Sequence, residues 1–387
     1  MAAIPPGDPE VFKLAVELGR HSSPMTPEER SQLLAKVKGV TPIFRNGYQR
    51  VPGGGMAATA GLAVILAMML ASAARGATTV GMIETVCGPL APEKLGRVLT
   101  HEHVLVDFIG ADQVSPDRYD RDEVFAVMLP HLKAVKAAGI DTLIECTPNY
   151  LGRDPALLRR LSLASGLHLV TNTGLYKDPY LPAWAREASA EEIAPRWIAE
   201  ATAGIGPEGI KPGFIKIAVN EGPLSDVQRK IVRAAALTSK ATGLAIASHT
   251  TQGVSAHETL DLLAESGVPA SRFIWVHADA EPDAALRFRA AERGAWLSYD
   301  GIREGNATQK VPLVLEALSR CPDRLLISQD AGWYHVGEPR GGEIAPLDWL
   351  PREFVPLLRT GGATEAQTEQ LLVRNPARAF VVRDGKD

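Results

Sequence analysis

The chain has 387 residues, 45% of them hydrophobic, with a formal net charge of −4. That length buries a sizeable core, in one large domain with an extension or in two ordinary domains. A near-neutral balance with no long run of either sign argues against nucleic acid as a partner. The three widely spaced cysteines, Cys87, Cys146 and Cys321, form neither a disulfide framework nor a zinc or redox motif.

Residues 1–55 read as an extension. Pro5-Pro6-Gly7 opens it and Pro52-Gly53-Gly54-Gly55 closes it, with short helix patterns at roughly 9–20 and 27–38. The second has Thr26 as N-cap, Pro27 at the first helical position and Glu29 three residues after the cap. Such a pair holds too little apolar surface to form a core alone. The next segment, 56–77, carries an apolar stretch of about 12 residues ending in Ala71-Ser72-Ala73, a small-x-small site of the kind signal peptidase cuts. Three readings stay open. Met56 is the start of an exported protein and 1–55 lies outside the mature chain; or 56–77 is an uncleaved anchor; or it is an apolar helix packed on the domain. The first puts the protein in the periplasm or outside the cell, and otherwise a cytoplasmic place is expected. Membrane contact, if any, runs through 56–77 alone. The domain proper is expected over 78–387.

From Thr78 onward, short β-rich runs alternate with longer helical patterns. The β runs are Arg97–Val106, Asp141–Thr147, His168–Gly174, Gly213–Val219, Gly243–Thr250, Phe273–Asp279, Ala295–Gly301 and Arg324–Ala331. Helix patterns lie between them, among others at Asp122–Ala138, Asp154–Ser165, Ser225–Thr242, Ala256–Ser266 and Pro282–Arg293. Ala138-Gly139 and Thr242-Gly243 are stop signals. Eight β/α units without a Rossmann glycine fingerprint predict an α/β fold of the (β/α)8 TIM-barrel class, with a doubly wound open sheet as runner-up.

Barrel enzymes keep their chemistry at the C-terminal ends of the strands. His101 and His103 flank Glu102 in the first run, and side chains two apart on a strand share a face, so the two imidazoles suit a metal ion. Alone, the pair reads equally well as a chance occurrence. Lys216 is a lone cation in the apolar fourth run, His249 ends the fifth, His277 the sixth and Asp330 the eighth. Six such groups on five strands are hard to explain as core residues. A buried lysine is costly unless paired or neutral. Beside metal ions a neutral amine reacts with carbon dioxide to give an anionic carbamate that bridges two metals. Pairing of Lys216 with a carboxylate such as Glu145 is the alternative, and the surrounding ligand types favour the carbamate.

The chain resembles the phosphotriesterase-related family of the amidohydrolase superfamily, which includes the phosphotriesterase-like lactonases. The matching pieces are Thr100-His-Glu-His103, Leu151-Gly-Arg-Asp154, Thr173-Gly-Leu-Tyr176, Gly213-Phe-Ile-Lys216, Ser248-His-Thr250, His277-Ala-Asp279, Ser328-Gln-Asp330 and Asn375-Pro-Ala-Arg378, spread over about 85–382 in the family's order. The resemblance implies two divalent ions, zinc or similar. His101, His103 and Asp330 would hold the more buried one, and His249 and His277 the more exposed one. Carboxylated Lys216 and a hydroxide would bridge them, with Asp330 orienting the hydroxide and collecting its proton. A homodimer is expected by analogy alone.

Substrate choice is less sharply implied. Tyr176 stands where the family's lactonases tend to have tyrosine and its dedicated phosphotriesterases tryptophan, which leans towards a small-molecule lactone or related carboxylic ester. Gly301 departs from the pattern at a strand 7 position that often carries a basic residue; Arg303 is near enough in sequence to replace it. Trp333 and Tyr334, in the loop after Asp330, either line a pocket for an apolar group or only cover the barrel mouth. Two rival functions stand beside the lactonase: a phosphotriesterase of the aryldialkylphosphatase type, and a catalytically silent metal-binding barrel.

Overall fold

A computed structural model describes residues 80–384, so the helix patterns of the extension and the apolar segment 56–77 lie outside the described residues. After a short antiparallel hairpin (Ile83–Thr85 with Gly88–Leu90), eight parallel strand positions follow one another around a ring. They are β1 (Val98–Val106), β2 (Thr142–Glu145), β3 (His168–Val170 and Asn172–Thr173), β4 (Phe214–Ala218), β5 (Ala245–His249), β6 (Phe273–Val276), β7 (Trp296–Tyr299) and β8 (Leu325–Ile327 and Gly332–His335). The ring closes through its two broken strands. In β3 the first segment pairs with β2 and the second with β4. In β8 the first segment pairs with β7 and the second with β1. This is the expected TIM barrel.

Helices start and stop where the sequence signals them. Asp120 caps α1 (Arg121–Ala137), and Asp154 accepts from Leu157 N at the start of α2 (Pro155–Ser165). Ser189 and Glu192 form a capping box on α3 (Ala190–Ala203), as do Ser225 and Gln228 on α4 (Asp226–Thr242), which stops at left-handed Gly243. Then come α5 (Gly253–Glu265), α6 (Ala284–Glu292) and α7 (Ala307–Arg320). Among the described residues no helix is long and apolar enough to cross a membrane.

The strands bury both faces. Leu99, Leu143, Ile215 and Ile246 join the core between strands and helices, while Val98, Ile144, Phe214, Ala247, Ile274 and Trp296 fill the barrel interior. Period-two alternation from Val98 would carry Thr100 and Glu102 inward. A register shift of β1 against β2 between Leu99 and Glu102 reverses that parity and hands the interior to His101 and His103.

Strand 8 departs from expectation. The run Arg324–Ala331 does not end the strand: it breaks after Ile327 and resumes at Gly332, so Asp330 sits in the gap, not at a strand end. Glu102 bridges that gap. Its fully buried carboxylate accepts from Ser328 Oγ (2.7 Å) and Gln329 N (3.2 Å) with one oxygen and from Ala331 N (2.8 Å) with the other. Burial holds its pKa well above the usual carboxylate range despite these donors. Gln in its place would aim an NH2 at a donor. Glu102→Gln is expected to cost roughly 1–3 kcal/mol in equilibrium denaturant unfolding, and a loss within experimental error would show that the carboxylate does not tie the gap to β1. Backbone contact completes the join: at Gly332 (φ 96°) a Cβ would lie 1.9 Å from His103 O.

Candidate active site

The predicted residues meet at the C-terminal end of the barrel. His101 and His103 bring their Nε2 atoms to 3.3 Å from each other. Asp330 Oδ1 lies 3.2 Å from His103 Nε2 and 3.7 Å from His101 Nε2. Lys216, only 1% exposed, places Nζ 3.4 Å from His101 Nε2. The imidazole of His277 lies 5.0 Å from that of His101, centroid to centroid, and His249 stands 4.5 Å from His277. Tyr176 brings its hydroxyl to 3.2 Å from His249 Nδ1. Two of these positions are backbone outliers, His277 (φ 64°) and Asp330 (φ 51°), the kind of strain that persists where the surroundings over-determine a functional position.

The hydrogen-bond partners fix how three rings face the centre. Asp300, fully buried, reaches His277 Nδ1 at 2.6 Å and His101 Nδ1 at 3.0 Å. Ser298 Oγ (2.7 Å) and His277 N (3.0 Å) donate to the same carboxylate. His103 Nδ1 lies 2.8 Å from Thr147 Oγ1, whose own hydrogen goes to Glu145 Oε1, so the imidazole is the donor in that contact. With His103 Nδ1 on Thr147 and the Nδ1 atoms of His101 and His277 beside Asp300, the Nε2 atoms of His101 and His103 lie close to each other and to Asp330 Oδ1. That oxygen is itself buried and has no protein donor in good geometry. Converging acceptors are what a cation satisfies, and carboxylate-oriented histidines are the usual support of a metal ligand. Two trios fit a metal ion within 4.8 Å: His101, His103 and Asp330, and His101, His277 and Asp300.

Electrostatics agree. Burial, helped by Lys216, brings the His101 imidazole down to about 4, and burial lowers His103 and holds His249 well below the ordinary range. Neutral imidazole is the form that ligates a metal. His277 goes the other way: burial works to lower it, but Asp300 together with Asp330 raises it above the ordinary range. Burial works to raise Asp300, yet the two imidazoles beside it bring its pKa well below the usual carboxylate range. The pairing of Lys216 with Glu145 is not seen. Glu145 spends its oxygens on Val104 N, Thr147 N and Thr147 Oγ1, and burial raises it to about 7. Among the described residues no carboxylate lies within ion-pair distance of Lys216.

A cavity of about 530 Å³ opens over the centre, lined by Arg303, Asp330, Trp333, His335, Ala345 and Trp349 among others. Trp333 (φ 72°) stacks on His103 at 3.9 Å and donates to Asp330 O at 2.8 Å. Tyr334 does not line this cavity: strand alternation turns it towards α1, into the core between strands and helices, where its hydroxyl donates to Glu123 at 2.8 Å. Arg303 brings Nη2 to 3.6 Å from Asp330 Oδ2. At Gly301 a Cβ would lie 3.1 Å from Asp279 Oδ2, so a larger side chain there requires that carboxylate to shift.

Sequence reasoning passed over Asp300, Thr147, Lys177 and His335. Asp300 had a readable signal, an acid ending the apolar run Trp296-Leu-Ser-Tyr299 much as Asp330 ends its own. Lys177 had none.

A sequence profile of the Phosphotriesterase family matches residues 81–380, nearly all of the described chain. The chain belongs to this family. Among its relatives in the family is a phosphotriesterase homology protein of Mycobacterium tuberculosis, 30% identical over 325 residues covering 78% of this chain and 98% of that one. An aryldialkylphosphatase of Saccharolobus solfataricus is 26% identical over 306 residues, 74% of this chain and 95% of that one. A solved mutant organophosphorus hydrolase from Deinococcus radiodurans superposes with a TM-score of 0.70 at 30% identity, over 79% of this chain and 98% of that one. The last two are hydrolases by name, and the phosphotriesterase-family site of this chain carries residues that could hold a metal.

Proposed function

We propose that this chain is a binuclear-metal hydrolase of lactones or related carboxylic esters. The observation that carries it is the convergence of His101 Nε2, His103 Nε2 and the Asp330 carboxylate beside buried Lys216, with the Nδ1 atoms turned to Thr147 and Asp300. His101, His103 and Asp330 would hold one ion, His249 and His277 the other, with carboxylated Lys216 shared between them. Bound there, the ions supply an activated water at neutral pH and a Lewis acid for the substrate's C=O. Asp330 holds a free oxygen ready to take a proton, and Asp300 keeps two imidazoles in the ligating orientation. Trp333 and Trp349 offer the cavity an apolar wall for an acyl chain or ring. Tyr176, on His249, is placed to touch the group being cleaved.

A second reading, phosphotriester hydrolysis, is favoured by the aryldialkylphosphatase and organophosphorus hydrolase likenesses. Acyl-lactones and an aryl dialkyl phosphate, assayed on one zinc-loaded sample, separate the two. The lactone is expected to have the higher kcat/KM. A higher value for the phosphate would reverse the order, and turnover of neither with metal bound would defeat both. Metal removal gives an independent check. At zinc a thousandfold above its Kd, binding is expected to add about 4 kcal/mol of stability, so a chelator should lower the thermal midpoint; an unchanged midpoint would contradict a metal held by the native fold.

A further inference from the structure

The loop after β3 carries a cation that the ligand set does not use. Lys177 reaches into the site and places Nζ 2.9 Å from His249 Nε2. Tyr176 occupies the other nitrogen of the same ring. His249 thus has both nitrogens engaged from one loop, and it belongs to neither trio whose ligand atoms cluster within 4.8 Å. The position of the loop is not accidental to this. At Gly174 (φ 122°) a Cβ would lie 2.0 Å from Lys216 O, so only glycine lets the backbone pass close over β4 and deliver Tyr176 and Lys177 to His249. The stem of Lys177 runs beside the Tyr176 ring, with Nζ 5.8 Å from its centroid, which holds the ammonium over the site.

An ammonium and a dication repel at such separations, all the more in a partly buried setting. We propose that Lys177 competes with the second metal ion for His249, which makes the two metal positions unequal: a tight one at His101, His103 and Asp330, and a weak, exchangeable one at His249 and His277. This rests on the binuclear reading above. Entry of the second ion requires Lys177 to withdraw.

Titration of the metal-free full chain with zinc alone, followed by calorimetry and by metal analysis after dialysis, tests this. Lys177→Met and Lys177→Gln are expected to tighten the second zinc by about 10–100-fold and to leave the first unchanged, the latter also certifying the fold. Lys177→Arg keeps the charge and is expected to leave the second zinc weak. Two zinc ions bound with second-site affinity unchanged or weaker in the neutral variants would overturn the competition while leaving the binuclear reading intact. A single zinc in every variant at saturation would overturn both.

Discussion

Lys216→Ala is expected to lose metal and to lower turnover by on the order of 10³-fold or more. Lys216 is the largest polar side chain sealed inside the barrel, 1% exposed, on the interior face that it shares with Phe214 and Ala218. Its Nζ has His101 Nε2 at 3.4 Å and no carboxylate partner among the described residues, so a free ammonium there is poorly compensated. The proposed carboxylation would turn it into an anion beside the imidazoles, which suits two cations. Truncation would remove that anion and leave space where the chain stood. Added short carboxylic acids are expected to restore part of the metal and part of the activity, a rescue that a purely structural lysine would not show. Metal analysis of the variant with and without formate or acetate reads this directly. A Lys216→Ala protein that keeps two ions and full activity would rule out the shared role.

Asp330→Asn is the second large effect. The carboxylate lies in the gap of β8 at a left-handed φ of 51°, held by Asp330 N to His101 O at 3.1 Å and by Trp333 Nε1 to Asp330 O at 2.8 Å. The imidazoles around it bring its pKa far below the ordinary range, against the opposing pull of burial, so it is ionised at any working pH. Asparagine keeps the shape, and its oxygen still faces His103. It cannot accept a proton. Turnover is therefore expected to fall by about 10²–10⁴-fold while much of the metal stays bound. Comparison of kcat with metal content separates this from Lys216→Ala, where the two fall together. Full activity in Asp330→Asn would remove Asp330 from proton transfer.

Much of the barrel is written in plain sight. Buried parallel strands read as apolar runs, and each of the eight runs contains a strand, trimmed at its ends where the chain turns off the ring. Site residues were legible for the same reason: a histidine, lysine or aspartate inside a Val- and Ile-rich run breaks the pattern that burial imposes. What stayed hidden depends on pairing across the chain. The shift in β1 that turns His101 and His103 inward comes from its register with β2, and the reopening of β8 at Gly332 comes from Glu102 and His103 on β1. Neither leaves a local trace. Tyr334 lies off the cavity because strand 8 resumes and alternation carries its side chain towards α1. Lys177 could not be read because a loop residue has no period to break, and only the passage of Gly174 over Lys216 sets its direction.

The most direct test is zinc reconstitution of the stripped protein, with ions per chain and ester or lactone hydrolysis followed on the same samples. The account predicts that metal-free protein is inactive, that hydrolysis appears as zinc binds, and that saturation is reached at two ions per chain. Equal hydrolysis by the stripped protein, or saturating zinc with none bound at His101, His103 and Asp330, would contradict it.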